Sequence, residues 1–245
     1  MRVGVIIPSF SRTVAAARSC AAAAEEAGIH GVFAYDHLWP PGAPGRPAIA
    51  PFPLLGMLAA ATSAIVLGTL VARIGLVPDE VLLDEFRTLE GLSGGRLIAG
   101  IGTGDRRSAA ENLAYGLDPG SAQARRRAIL AVGSALTEEG IPVWIGAGAS
   151  TTNAIARAIG ATVNVFGVRA ARVAELGRDG AICWGGALAR GAECAAAQLR
   201  SLAGAGATWA IVAWPGSVAP IVAAARGAGI PLGWGSRVAP GGPVR

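Results

Sequence analysis

The sequence predicts an α/β protein of the (β/α)8 TIM barrel type: one domain over residues 1–238 with shortened insertions, then a flexible tail at 239–245. Three observations predict it. Strand-like and helix-like segments alternate eight times along the chain. The fourth strand-like segment, Arg96 to Ile101, is too apolar to have a wet face, which is how a parallel strand buried on both faces reads. The length of 245 residues matches a single barrel. An open doubly wound sheet is the alternative, and it needs fewer units.

The elements follow in order. Val3 to Pro8 reads as the first strand, and Thr13 to Ala27 as a helix stopped by Gly28. Gly31 to Tyr35 is the second strand; a proline-rich loop from Pro40 to Pro53 leads into a helix through Thr62. Ile65 to Val71 is the third strand and Pro78 to Leu92 its helix, with Asp79 as cap or first-turn acid. The turn Ser93-Gly94-Gly95 opens the fourth strand, Arg96 to Ile101. The following helix starts near Ser108, breaks at Asp118-Pro119-Gly120 and resumes to Glu139. The second half is terser. Its strands are Pro142 to Gly146, Ala161 to Phe166, Ala181 to Trp184 and Thr208 to Ala213. Its helices are Ser150 to Ile159, Val168 to Leu176, Arg190 to Ala205 and Ser217 to Gly227.

Composition narrows the function. Hydrophobic residues make up 52% and charged residues 15%, so the chain buries a large core and is not disordered. All 21 basic residues are arginine, which excludes a Schiff-base or P-loop lysine. A net charge of +5 favours anionic ligands. The arginines are scattered, however, and the one run, Arg125-Arg126-Arg127, reads as a solvated helix face, so no nucleic-acid partner is expected. Cys20, Cys183 and Cys194 have no CxxC spacing and the histidines are only His30 and His37, so neither a metal site nor a disulfide framework is expected. The N-terminal apolar run is too short for a signal peptide, and no segment reads as a membrane span. The expectation is a cytoplasmic protein with no membrane partner.

In such a barrel the chemistry lies where strands end. Four exits stand out: Tyr35 to Pro40, Gly68 to Arg73, Gly102-Thr103-Gly104-Asp105, and Gly146 to Thr151. His37 is the best acid/base candidate, because imidazole titrates near neutrality. Asp36 either orients that ring or takes a proton itself. The alternative is that Asp36 caps the loop and His37 plugs the rim. His30, before its strand, lies at the opposite end and reads as structural, as does Arg96. Gly102 and Gly104 let a ligand approach the backbone closely. Gly148, Ala149, Ser150 and Thr151 suit a phosphate at a helix start, with Gly185-Gly186 as a competing loop and a plain Ser-capped turn as the alternative. Most tryptophans read as packing; Trp184 and Trp214 stand near the rim and could line a planar ligand.

Several stretches in order resemble the luciferase-like monooxygenase superfamily of flavin- and deazaflavin (F420)-dependent oxidoreductases. They are AEEAGIHGVFAYDHLWP (Ala23 to Pro40), IVLGTLVARIGLVP (Ile65 to Pro78), LDEFRTLEGLSGGRLIAGIGTGD (Leu83 to Asp105), ENLAYG (Glu111 to Gly116) and PVWIGAGAS (Pro142 to Ser150). The resemblance implies F420 or FMN over the C-terminal mouth of the barrel. It implies a non-proline cis peptide behind the ring within Thr69, Leu70, Val71 and Ala72, Asp36 and His37 near the redox centre, and Gly148, Ala149 and Ser150 on the cofactor phosphate. Asp105-Arg106-Arg107 replaces the family's usual acid-plus-asparagine exit, which sets the arginines to meet an anionic tail or substrate. The implied activity is two-electron (hydride) transfer to or from a small organic substrate, with F420 favoured because a short lid shelters oxygen chemistry poorly. The alternatives are an FMN-dependent monooxygenase using molecular oxygen and a non-catalytic flavin-binding protein. Members of that superfamily often form homodimers. The whole reading requires His37, Thr69, Asp105 and Ser150 to surround one hollow.

Overall fold

A computed structural model describes residues 1–104, 108–118, 120–146 and 149–234. The expectations placed on Asp105, Gly148 and the 239–245 tail lie outside the described residues, as do Arg106 and Arg107.

Eight parallel strands close into a barrel. They are β1 (Arg2–Ile6), β2 (Gly31–Ala34), a third strand in two pieces, β3 (Val66–Thr69) and β4 (Ala72–Arg73), then β5 (Leu97–Gly102), β6 (Val143–Gly146), β7 (Thr162–Phe166), β8 (Ile182–Gly186) and β9 (Ala207–Val212). Closure is made by β1 pairing with β9, Val3 opposite Ala210, which removes the open-sheet alternative. The helices between the strands are α1 (Ala15–Glu26), α2 (Pro51–Ala61), α3 (Asp79–Ser93), α4 (Ala109–Ala114), α5 (Ala122–Glu138), α6 (Ser150–Ala158), α7 (Ala170–Leu176), α8 (Ala192–Gly204) and α9 (Ala219–Gly227).

The pleat sorts side chains into two cores. Val3, Val5, Leu67, Ala99 and Ile145 pack outward against the helices. Ile6, Phe33, Ile98, Trp144, Trp209 and Ile211 fill the barrel interior. Phe33 stacks on Trp144 at 5.0 Å, and Trp209 meets both edge-on at 5.8 and 5.5 Å. Glycines make room for this cluster: a Cβ on Gly4 or Gly31 would lie 2.9 Å from Phe33 Cε2, and one on Gly68 only 2.7 Å from Cε1. Large residues thus face small ones across the interior, as native packing density demands.

The N-terminal end of the barrel is tied by charge. Arg96 donates from Nε to Ser93 O at 2.6 Å, from Nη1 to Ile65 O at 3.0 Å and from Nη2 to Ala59 O at 2.9 Å, the structural role expected of it. Glu25 Oε1 accepts the backbone N–H groups of Ser63, Ala64 and Ile65 at 2.8, 2.7 and 3.1 Å. Burial works to raise its pKa, but those three bonds and the nearby Arg96 outweigh burial and leave it below the ordinary value. His30 Nδ1 accepts the Val3 N–H at 3.1 Å, and the ring meets the edge of Trp209, so it is structural.

Two departures from the sequence reading concern the strands. The third strand does not run unbroken to Val71; a non-proline cis peptide at Leu70–Val71 divides it, inside the window the family resemblance implies. Gly185 and Gly186 do not form an exit loop. They belong to β8, and the rings of Phe166 and Trp184 occupy the space a Cβ would need, at 2.7 and 2.5 Å. Trp184 is buried with Nε1 donating to Val168 O at 2.9 Å, and Trp214 packs on the helix-side core, so both act in packing.

Candidate active site

The strand ends surround a cavity of about 670 Å³ at the C-terminal mouth. Phe10 lines it from beyond β1, Tyr35, Asp36 and His37 from beyond β2, and Leu70, Val71 and Arg73 from the broken third strand. Gly102, Thr103 and Gly104 line it from β5, Gly146, Ala149 and Thr152 from β6 and α6, and Asn164 and Phe166 from β7. The volume lies inside the range of small-molecule sites.

Leu70 and Val71 form an apolar floor; Gly102 and Gly146 leave room for the Val71 side chain, while Gly100 first leaves room for the Thr69 carbonyl. A Cβ on Gly102 would lie 2.6 Å from Val71 Cγ2, one on Gly146 3.0 Å from the same atom, and one on Gly100 3.2 Å from Cγ1. Gly102 therefore lines the cavity, but its missing side chain first accommodates the floor. Gly104, at φ +70°, adopts a conformation that favours glycine.

Thr69 is placed differently from expectation. It is fully buried; its hydroxyl donates to Gly100 O at 2.6 Å and accepts the Gly100 N–H at 3.1 Å, bridging β3 and β5 just before the strand breaks. It supports the floor from beneath and does not line the cavity. Ala72 points into the helix-side core, because the pleat turns it away from the mouth. Ser150, the first residue of α6, is exposed and lies beside the lining rather than in it; Ala149 and Thr152 reach the cavity from that helix.

A buried polar network forms one wall. His37 Nδ1 lies 2.8 Å from Glu111 Oε1. Glu111 Oε2 accepts the Leu38 N–H at 3.1 Å and pairs with Arg73 Nη2 at 2.9 Å. Arg73 also donates from Nη2 to Asp36 O at 2.8 Å and from Nη1 to Asn112 Oδ1 at 3.3 Å. Glu111 and Arg73 are 1% and 6% exposed, while the imidazole between them and the cavity is 25% exposed. A carboxylate only accepts, so the contact puts the His37 proton on Nδ1 and leaves Nε2 as the basic nitrogen. Phe10, Tyr35 and His37 pack ring to ring, Phe10 on Tyr35 at 5.8 Å and Tyr35 edge-on to His37 at 5.8 Å, which limits rotation of the imidazole.

Asp36 does not orient that ring. Its Oδ2 accepts the Arg73 backbone N–H at 2.7 Å, fastening the β2 exit to β4. Burial pushes its pKa up to about 6, against the opposing pull of the Arg73 N–H and guanidinium. Burial likewise pushes the Tyr35 phenol up to about 12.

Sequence reasoning missed Glu111 and Arg73 as members of this wall. Arg73 was visible as the only charge in the apolar run ending the third strand. Glu111 carries no assigned role in the sequence, where it stands only within the ENLAYG stretch, and the fold brings it to the second strand exit. Among the described residues no group of three His, Cys, Asp or Glu side chains is placed to hold a metal ion.

The fold and this wall define a parallel barrel with a small-molecule site at its C-terminal mouth. The chain belongs to the luciferase-like monooxygenase family, whose model matches residues 1–146. It is 41% identical over 87 residues to an F420-dependent glucose-6-phosphate dehydrogenase of Nakamurella multipartita, a match covering 35% of this chain and 25% of that protein. The chain thus spans about a quarter of the length of the curated relatives it matches. An F420-dependent secondary alcohol dehydrogenase in complex with an F420–acetone adduct superposes with a TM-score of 0.72 at 12% identity, over 86% of this chain and 92% of that one. The coenzyme F420-dependent tetrahydromethanopterin reductase of Methanopyrus kandleri gives 0.72 at 15% identity, over 94% and 99%. These two likenesses show the fold. Among the described residues no helix is long and apolar enough to cross a membrane.

Proposed function

We propose that the chain is an oxidoreductase that holds F420 or FMN in the mouth cavity and uses His37 as acid and base toward a small organic substrate. The observation that carries this reading is the His37 Nδ1–Glu111 contact of 2.8 Å at the wall of a cavity of about 670 Å³. The residues fit such a cofactor. Leu70 and Val71 give a flat apolar support for a ring system, Asp36, His37 and Asn164 give polar atoms at its edge, and Gly102 and Gly104 keep the β5 exit low. Ala149 and Thr152, at the start of α6, stand where a phosphate gains from the helix dipole, and the family resemblance adds Gly148 and Ser150 to that phosphate set and Asp105 to the cofactor-binding residues of the fourth strand exit. When bound, either cofactor supplies two-electron transfer.

The chain's own part is positioning and proton transfer. Glu111 fixes the imidazole tautomer, so the neutral ring accepts a proton at Nε2 and the charged ring returns it. Glu111 and Arg73 are positioning residues here, and Asp36 acts through Arg73. The relatives of 41% identity favour F420 over FMN.

The test is a parallel titration of the purified protein with F420 and FMN, followed by turnover. Saturable binding of one cofactor is expected. A His37→Ala variant that keeps this binding and loses turnover supports the assignment. The same variant turning over at the wild-type rate removes His37 from the chemistry, and binding of neither cofactor removes the proposal.

A further inference from the structure

Asn164 is a buried amide at the inner edge of the mouth cavity. It stands on β7, in register with Gly146 of β6 on one side and Cys183 of β8 on the other. It is only 6% exposed, yet it lines the cavity. The interior cluster that Cys183 joins is apolar, with Ile6, Phe33, Trp144, Trp209 and Ile211. Asn164 also lies beyond residues 1–146, which the family model matches. An amide set beside such a cluster costs stability unless each of its polar atoms is met.

Half of this amide is accounted for. Nδ2 donates to Cys183 Sγ at 3.3 Å. The thiol directs its own hydrogen to Trp184 O, at 3.7 Å. Burial pushes the Cys183 pKa up, against the pull of the Asn164 bond, so the sulfur keeps that hydrogen. A sulfur whose hydrogen is engaged elsewhere only accepts, so the amide must turn nitrogen toward it and oxygen away. Among the described residues Oδ1 has no hydrogen-bond partner. Among the same residues, the side-chain atoms that are both unpartnered and sealed from solvent are Ser9 Oγ, Arg73 Nε, Arg125 Nε and Asn153 Oδ1. Asn164 Oδ1 is not one of them. It is an open acceptor, and the space it opens to is the mouth.

The apolar floor runs alongside. A Cβ on Gly146 would lie 3.0 Å from Val71 Cγ2, so Val71 leans over the strand that neighbours Asn164. Oδ1 thus borders the surface on which the functional reading rests a ring, and an acceptor there calls for an N–H on that ring. The oxidised F420 and FMN rings share one, the imide N–H between two carbonyls.

We propose that Asn164 is a cofactor-recognition residue: its Oδ1, aimed by the Cys183 thiol, accepts the imide N–H that the F420 and FMN rings have in common. The inference rests on the functional reading above for the presence of the ring, and on the geometry of the amide for the contact.

The experiment compares affinities for whichever of F420 or FMN the protein binds and for the same cofactor methylated at the imide nitrogen, read from the change in ring absorbance without turnover. Wild type should bind the methylated form about fivefold or more weaker, the effect of one hydrogen bond. Asn164→Leu and Asn164→Ala should each bind the parent cofactor about fivefold weaker and treat the two forms alike within about twofold. Leucine keeps the volume and alanine cannot overpack, so one reports even where the other folds poorly. Cys183→Ala should still bind but narrow the wild-type discrimination by about twofold or more. Equal affinity of wild type for both forms overturns the proposal. So do Asn164 variants that discriminate as wild type does, which would trace the loss to the bulk of the methyl group elsewhere in the mouth. Undiminished discrimination in Cys183→Ala removes the thiol's part. If neither cofactor binds, the functional reading fails and this inference with it, whereas a parent cofactor that binds wild type and both Asn164 variants equally sinks the inference alone.

Discussion

Replacing Glu111 by Gln separates the structural from the chemical role of the buried wall. The side chain keeps its shape and loses its charge, leaving the Arg73 guanidinium, 6% exposed, without its counter-ion. Breaking a buried pair by removing one partner costs about 3–5 kcal/mol. Unfolding entropy near 2.1 cal/mol/K per residue gives roughly 0.5 kcal/mol per degree for a chain of this length, so the melting temperature should fall by about 6–10 °C. Arg73→Met in the same chain removes the stranded cation, but it also removes the donors to Asp36 O and Asn112 Oδ1. The double variant should therefore recover part of the lost stability. It should not recover turnover, because the amide no longer dictates which nitrogen of His37 carries the proton. Thermal melts of the four proteins in the cycle, with turnover of the loaded enzyme, check this. A Glu111→Gln melt within about 2 °C of wild type, or a double variant with full turnover, would refute the reasoning.

Other predictions concern the floor, the pH dependence and the opposite end of the barrel. Gly102→Ala places a Cβ 2.6 Å from Val71 Cγ2. That overpacking should cost about 1–3 kcal/mol and weaken cofactor binding, with Val71→Ala in the same chain restoring both in melts and titrations. Asp36 has a folded pKa of about 6, above its unfolded value, so its contribution to stability is complete below the unfolded pKa and is lost as pH rises through 6. The stability difference between wild type and Asp36→Asn in denaturant melts should then shift against wild type across that window; a difference independent of pH contradicts the burial argument. Glu25 has a lowered pKa, so its contribution is present above the unfolded value and is lost as pH falls through the folded one. Glu25→Gln should melt earlier than wild type at neutral pH, converge with it in acid, and bind cofactor normally, since this end carries no part of the mouth cavity.

Much of the fold was legible in the chain. Arg96 to Ile101 reads as a strand and Leu97–Gly102 is one, because a continuous apolar run bounded by glycines satisfies a parallel strand buried on both faces. The division of the third strand was not readable from local preference. Leu70 and Val71 are good strand residues, and it is Gly102 and Gly146 on neighbouring strands that leave room for the Val71 side chain. Only the family resemblance pointed to that window. His37 stood out by its chemistry, but adjacency suggested the wrong carboxylate. The ring meets Glu111, 74 positions away, while Asp36 next door turns to the backbone of Arg73.

The amino-acid order alone determined a ring of eight largely apolar strands, because burial on both faces and short helical returns leave few other arrangements, and it placed His37 at a strand exit. Only tertiary packing decided which acid holds that imidazole, and that Leu70 and Val71, but not Thr69 or Ala72, face the hollow. Those outcomes depend on side chains from separate strands and helices competing for one space, and no local pattern encodes the winner.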